Sequence, residues 1–540
     1  MNRSSRGEIF AHLLVAVIFL SSAGGCIKVG PNYVRPEIKV EPAWQEADDN
    51  RVKSALTHYR SWWRAFNDPI LDRLINQAYQ ENLNLRIAGV RVLEAWAQVG
   101  VATGQLYPQT QQIAGSVFRE RESAGTPLSG TSLTAPSFGG RNYWQSQLGI
   151  TASWEIDFWG KFRRALESAD AGFQASIADF DNTLVGLTAS VANFYISIRT
   201  LEKRLAIALQ NVEIQRESLK IAQARFEGGT TSQRDVEQAK TVLANTQATI
   251  PVLQTQLRQA KDALSVLLGK PPSRTIDQIM AGRTAIIPAP PPQVVVGIPA
   301  DLLRRRPDIR AAEYNAMAQC AQIGVARAQI FPAFSLTGSF GFFASDVKPN
   351  TLGDMFRWAN RQGFVGPTVQ WNVLNYGRLS NLVRVQDARF QELLLTYQNT
   401  VLSAQQDVED NLAAFLRNQE QAGFLAESAD AALKSLDLAV IQYREGITDF
   451  TTVLTAQQAL LSAQDSLATA LGNIAGSLVG VYRALGGGWE IREGRDLVPE
   501  EIRQTMRLRT RWGKMLAPVS EPPPTPEQQQ QKLFIRPPQF

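Results

Sequence analysis

Few residues in this chain can do chemistry. Its 540 residues include two histidines and two cysteines, and His12 lies in an apolar N-terminal run, leaving His58, Cys26 and Cys320. A zinc site takes about four N, S or O ligands, and a nucleophilic triad needs a histidine beside its Ser or Cys. Neither can be assembled from one His and two Cys. No clustered carboxylate pair offers acid and base work either. The composition therefore reads as a protein that is not an enzyme, with no metal and no cofactor. The thiol with an informative context is Cys26.

Residues 1–25 read as an export signal. Arg3 and Arg6 supply the charged start, Ile9 to Leu20 the apolar run, and Ser22-Ala23-Gly24-Gly25 the small-residue tract before Cys26. That tract resembles a lipobox, which implies acylation of the Cys26 thiol and cleavage just before it. Ile27, standing where an Asp would retain a lipoprotein in the inner membrane, implies sorting to the outer membrane. An acylated Cys26 leaves no partner for a disulfide, and Cys320 reads as an inert buried thiol. No later run of 18 or more apolar residues is found, so a membrane crossing would require a closed barrel. A net charge of +5 without a basic block excludes a nucleic-acid partner.

The chain repeats itself. Trp154, Gly160, Ala171, Phe173, Phe226, Gly229, Leu268 and Gly269 recur 217 residues later as Trp371, Gly377, Ala388, Phe390, Tyr443, Gly446, Leu485 and Gly486. Upstream, Gly100-Val101-Ala102 and Pro108 recur 224 residues later as Gly324-Val325-Ala326 and Pro332. The difference falls in a loop rich in Gly, Ser, Thr and Pro, from Ser123 to Gly140. The expected layout is an N-terminal segment 26–69, a first repeat 70–270, a Pro-rich linker 271–300, a second repeat 301–488 and a C-terminal tail 489–540, whose end (517–540) reads as disordered.

Each repeat reads as helix, strand, loop, strand, long helix, turn, helix. Strands are expected over about 109–122, 142–156, 333–344 and 364–373; alternation is clean from Tyr143 to Ile156 and weak in 109–122. Four such strands cannot close a barrel, so spanning requires several chains. Long helices are expected over 158–226, 231–268, 375–443 and 449–486. Phe173, Ile177, Phe180, Leu184, Leu187 and Val191 open a heptad seam, and a 69-residue helix at about 1.5 Å per residue is about 100 Å long. Turns at Gly228-Gly229 and at Gly446 reverse the rods, the glycines accepting left-handed dihedrals. Gly472, Gly476 and Gly480 read as close-packing positions, and Trp44, Trp62 and Trp63 as packing of a band around the middle of the rods.

Three stretches carry a family resemblance: Trp154-Glu155-Ile156-Asp157-Phe158-Trp159-Gly160-Lys161, Leu303-Arg304-Arg305-Arg306-Pro307-Asp308-Ile309-Arg310-Ala311-Ala312-Glu313, and Asn375-Tyr376-Gly377-Arg378-Leu379. With the duplication, they resemble the outer-membrane factor family of TolC type, and more closely its efflux-pump lipoprotein branch, over about residues 30–490. The resemblance implies an α+β membrane protein: a homotrimeric 12-stranded outer-membrane β-barrel, four strands per chain, continuous with a 12-helix α-barrel periplasmic tunnel. It implies a passive exit duct for drugs or other small molecules, fed by a periplasmic adaptor and an inner-membrane, proton-driven pump, and anchored in outer-membrane lipid. The alternatives are the duct of an ATP-driven protein secretion system and a non-conducting periplasmic scaffold. By position, the gate and adaptor-docking candidates are Asp235, Tyr443, Thr452, Thr455 and Gln458, with Arg234, Arg444 and Asp449 as further charges. Relatives often carry Asp and Arg where this chain has Thr452, Thr455 and Gln458.

Overall fold

The computed structural model describes residues 27–54, 59–121, 142–281, 285–297, 299, 305–346 and 351–517. The export signal, Cys26, His58, the loop 122–141 and residues 518–540 lie outside them. An extended arm leads to strand β1 (Val52–Ser54), a 3-10 turn (Tyr59–Phe66) and helices α1 (Pro69–Glu81) and α2 (Leu83–Gly104). Strands β2 (Thr110–Arg121) and β3 (Asn142–Ile156) come next, then helices α3 (Lys161–Glu227), α4 (Gln233–Leu267) and α5 (Thr275–Ile279). Strand β4 (Val294–Val296) precedes α6 (Pro307–Ala328), strands β5 (Ala333–Ser345) and β6 (Arg361–Gln370), and helices α7 (Arg378–Arg444), α8 (Phe450–Ala484) and α9 (Glu500–Arg509).

The repeat is written into the helix lengths. Helices α3 and α7 each hold 67 residues, α4 and α8 each 35, and α2 and α6 each 22. Gly160 and Gly377, with φ of 77° and 78°, precede α3 and α7, while Gly269 and Gly486, with φ of 67° and 69°, follow α4 and α8. A left-handed residue cannot continue a helix. α3 and α7 therefore start at Lys161 and Arg378 and not at 158 and 375, and α4 and α8 stop before 268 and 486. α4 and α8 start at Gln233 and Phe450 and not at 231 and 449 because Ser232 and Asp449 before them are extended. Even the indoles repeat: Trp154 donates to the Leu106 carbonyl (3.2 Å) and Trp371 to that of Ile330 (3.0 Å).

Four strands form one antiparallel sheet in the order β2-β3-β5-β6. β6 corrects the expected 364–373: it begins at Arg361, paired with Phe342, and ends at Gln370, paired with Ala333. β5 supplies no partner beyond Ala333, so Trp371 to Leu374 leave the ladder.

Beside the sheet the helices lie in the order α2, α3, α6, α7; farther away α4 and α8 replace α2 and α6, giving α4, α3, α8, α7. The heptad seam is the core. Ile177, Phe180, Leu184, Leu187, Val191 and Ile198 on α3 are buried, as are Tyr397, Val401, Val408 and Phe415 on α7. One stretch of α3 is apolar enough to pass as a membrane span, contrary to the sequence reading, but 67% of that window is buried inside the protein.

A band wraps the middle. β1 pairs with β4 in parallel, Trp62 stacks on Tyr482 with ring centroids 5.4 Å apart, and the Trp44 indole donates to the Gly297 carbonyl (2.6 Å). Tyr195 donates to Asp68 (2.6 Å); burial and then that bond push its phenol up to about 12. The arginine-rich stretch before α6 knots the band to the rods. Arg306, 9% exposed, bonds the Asp308 and Asp407 carboxylates and the Ala484 carbonyl (3.0 Å), and Arg310 and Arg492 both bond Asp181, which is fully buried.

Candidate functional site

The sheet has two unlike faces. Register places Ile113, Val117, Trp144, Leu148, Ile150, Trp154, Leu336, Phe340, Phe342, Val365 and Val369 on one, and Gln112, Ser116, Gln145, Gln147, Thr151, Ser335, Thr337 and Thr368 on the other. Parity along a strand separates lipid-facing from lumen-facing residues in membrane barrels. In all three layers one open edge belongs to the first repeat (β2, α2, α4) and the other to the second (β6, α7).

The far ends of the rods are two matched turns. Thr230 N–H bonds the Arg225 carbonyl and Gly229 N–H that of Phe226, both at 2.9 Å; Ile447 with Gln442 (2.9 Å) and Gly446 with Tyr443 (3.1 Å) repeat the pattern. These are Schellman closures, which satisfy the last carbonyls of a helix and need a left-handed residue. Gly229 and Gly446 supply it, at φ of 71° and 78°. Gly228 does not: its φ is −75°, so its role in the turn is not the left-handed one expected.

The matched backbones carry unmatched side chains. The Arg225 guanidinium donates to the Tyr443 carbonyl and lies over the Tyr443 ring at 4.6 Å, while Tyr443 packs on Phe450 at 5.0 Å. One arginine thus clips the two tips together.

The sequence of residues 74–270 and 298–487 matches the family described as Outer membrane efflux protein. This chain belongs to that family. Among relatives, the pyoverdine export outer membrane protein OpmQ of Pseudomonas putida is 32% identical over 457 residues, covering 84% of this chain and 94% of OpmQ. Nodulation protein T of Rhizobium leguminosarum bv. trifolii is 29% identical over 439 residues, covering 80% and 88%. Of solved structures, the outer-membrane channel OprN aligns with a TM-score of 0.77 at 31% identity, covering 86% of this chain and all of that one. The open-state MtrE channel of Neisseria gonorrhoeae gives 0.72 at 25% identity, covering 86% of this chain and 98% of that one. The fold is the TolC-type channel, and the protein is the outer-membrane channel of an efflux system. Its relatives are channels, not enzymes, and among the described residues no His, Cys, Asp and Glu group could hold a metal.

In this efflux channel the position-based tip candidates divide. Asp235 is 6% exposed and accepts from the Thr231 and Ser232 hydroxyls at the start of α4; it is a carboxylate turned inward rather than a projecting charge. Arg234 lies outside it, 3.7 Å from its carboxylate. Tyr443 is buried under Arg225. Asp449 caps α8, accepting from the Thr452 amide (3.3 Å) and hydroxyl (3.1 Å). Thr455 returns its hydroxyl to the Thr451 carbonyl (2.9 Å), and Gln458 and Arg444 stand exposed. Sequence position missed Arg225, whose cue is its place three residues before Gly228.

Above the tips runs a polar seam between α3 and α8. Arg204 pairs with Asp465 (2.7 and 3.0 Å), Asn211 with Gln464 (2.9 Å), and Gln457 with Ser218 (2.6 Å). Gln215 lies between the last two pairs, 2% exposed, with neither amide atom partnered among the described residues. A buried unpaired amide costs about 1–3 kcal/mol. Higher up, Gly472 and Gly480 let α8 close on its neighbours: a Cβ there would meet Thr200 at 2.4 Å and Asn411 at 1.9 Å. Gly476 is looser, with Asn193 at 3.8 Å, and borders a recess of about 430 Å³ lined by Ser197, Asn473 and Ser477.

Proposed function

We propose that three copies of this chain close head to tail into one duct, a 12-stranded barrel over a 12-helix tunnel, and that the duct passes small molecules handed over by a periplasmic adaptor from a proton-driven inner-membrane pump. The supporting observation is that sheet, upper rods and lower rods all end on the same pair of open edges. One rotation then completes every layer, which is the condition for a closed cyclic assembly. The lining face carries amides and hydroxyls with Phe118, Phe343 and Phe364 among them, and Glu120 and Glu155 as its charges on the strands. Such a surface suits varied solutes and performs no catalysis.

Cys26 is the lipid anchor in this reading. Ile27 and Lys28 begin the arm at the base of the sheet, where the Val29 amide bonds the Trp159 carbonyl (3.1 Å), so an acyl chain on residue 26 starts level with the inner leaflet. The gate lies at the tips: Arg225 on Tyr443 holds them within each chain, and Arg234, Arg444, Thr455 and Gln458 present the surface that an adaptor meets.

A photo-crosslinking residue at Arg234 or Ile447 in living cells tests this. Capture of the adaptor of a proton-driven pump is the expected result. Capture of the adaptor of an ATP-driven exporter would keep the duct and change its cargo to protein. No adaptor at either tip, with trimer present, would overturn the docking assignment.

A further inference from the structure

The charged residues of the four sheet strands sort by sign. Glu120 and Glu155 share the polar face, whereas Arg119, Arg121 and Arg361 share the apolar one, paired in register with Trp144, Asn142 and Phe342. All three arginines lie at the same end. β2 leaves the rods and finishes at Arg121, and β6 starts at Arg361 on its way back to them, so this end is the outward rim. At the rod end the apolar face carries Gln111, Trp154, Ile156, Phe334 and Val369, with no charge. Cations confined to one rim of a lipid-facing surface point to an anionic leaflet at that rim.

The arginines have aromatic company and, among the described residues, no carboxylate partner, although Arg361 also donates to the Trp358 carbonyl (2.6 Å). Trp144, Phe356 and Trp358 are exposed around them, and the Arg361 guanidinium lies 4.5 Å from the Trp358 ring. Neither Arg119 nor Arg121 has a carboxylate within ion-pair distance among the described residues. β2 and β6 are also the two free edges of the sheet. In the closed ring proposed above, on which this inference rests, Arg119 and Arg121 of one copy border Arg361 of the next. Like charges gathered at each seam repel unless an anion lies between them.

We infer that Arg119, Arg121 and Arg361 form a binding site, once per subunit seam, for a phosphate-bearing lipid of the outer leaflet. Its acyl chains lie along Ile113, Val117, Leu148 and Phe340, and its phosphates take bidentate bonds from the guanidiniums. The aromatic side chains sit at the headgroup level, as amphipathic rings do at membrane interfaces.

The test uses the full-length trimer in nanodiscs of phosphatidylcholine doped with diphosphoryl lipid A or with its dephosphorylated form, the retained lipid being read by native mass spectrometry. The wild-type protein is expected to retain the phosphorylated lipid at least about tenfold better, the R119Q/R121Q/R361Q variant to lose that preference, and R119K/R121K/R361K to keep much of it. Equal retention of the two lipids by the wild type, or an unchanged preference in the glutamine variant, would overturn the site. Should the glutamine variant not insert, the wild-type comparison decides alone. Planar-bilayer conductance separates the two readings: a trimer that conducts neither as wild type nor as the gate-loosened Arg225→Ala variant defeats the duct, while conductance without lipid preference defeats this inference only.

Discussion

Helices α3 and α7 have the same length, the same left-handed glycine before them and the same turn after them, yet α3 buries 28 residues and α7 buries 12. The difference is position in the wall. α3 is flanked on both sides within its own chain, and α7 is an edge. The counterparts show it: Val185 is 4% exposed and its partner Leu402 58%, and Ile207 is 8% exposed against 74% for Phe424. Large apolar side chains left bare on a duplicate of a buried helix identify a face that another copy covers. Duplication made two similar rods, and assembly gives the second the neighbours that the first already has.

The sharpest way to break this comparison is a charge on the bare face. Leu402→Asp and Phe424→Asp are expected to abolish the trimer in detergent, read by analytical ultracentrifugation, because an unpaired charge in each interface costs about 3–5 kcal/mol. A trimer that persists would mean α7 faces lipid or water.

Asp181 and its α7 counterpart Gln398 come next. Asp181→Ala leaves Arg310 and Arg492 facing each other in the core and is expected to destabilise the fold by about 3–5 kcal/mol. Gln398 is exposed, and Gln398→Ala is expected to stay within about 0.5 kcal/mol, both measured by thermal unfolding.

At the tips, Arg225→Ala removes a clip that joins copies of one turn. Its stability cost is expected to be about 1 kcal/mol, but conductance in planar bilayers should rise several-fold. Unchanged conductance would move the gate elsewhere.

The smallest effect belongs to the band. The Arg51 side chain and amide hold the Asp49 carboxyl well below the usual carboxylate range, at about 2. A depressed carboxylate contributes its stability above its unfolded value and loses it as pH falls toward the folded one. Asp49→Asn should therefore lower stability slightly at pH 7, by less than about 1 kcal/mol for so open a pair, and by only a fraction of that at pH 2, where the folded carboxyl is about half protonated.

Much of this protein is local, and the sequence by itself determined it. Helices follow from spacings of three and four, the β3 strand from alternation, and the duplication from a gapless offset that needs no structure to see. Where the sequence reading was weak, pairing explains why. The alternation of 109–122 is blurred because Gly115, Arg119 and Arg121 occupy the same face as Ile113 and Val117, so that face does not read as apolar, and pairing with the clean β3 strand identifies it. β6 starts at Arg361 because Phe342 is there to pair with it. Tip chemistry was the least legible, since a position on a rod does not say which way it faces. Asp235 turns inward to accept from the Thr231 and Ser232 hydroxyls, and Tyr443 is covered because an arginine 218 residues away reaches it. Those contacts, and the decision that α3 is interior and α7 an edge, join segments far apart in the chain. Periodicity carries no information across such distances, so only the tertiary structure could decide them.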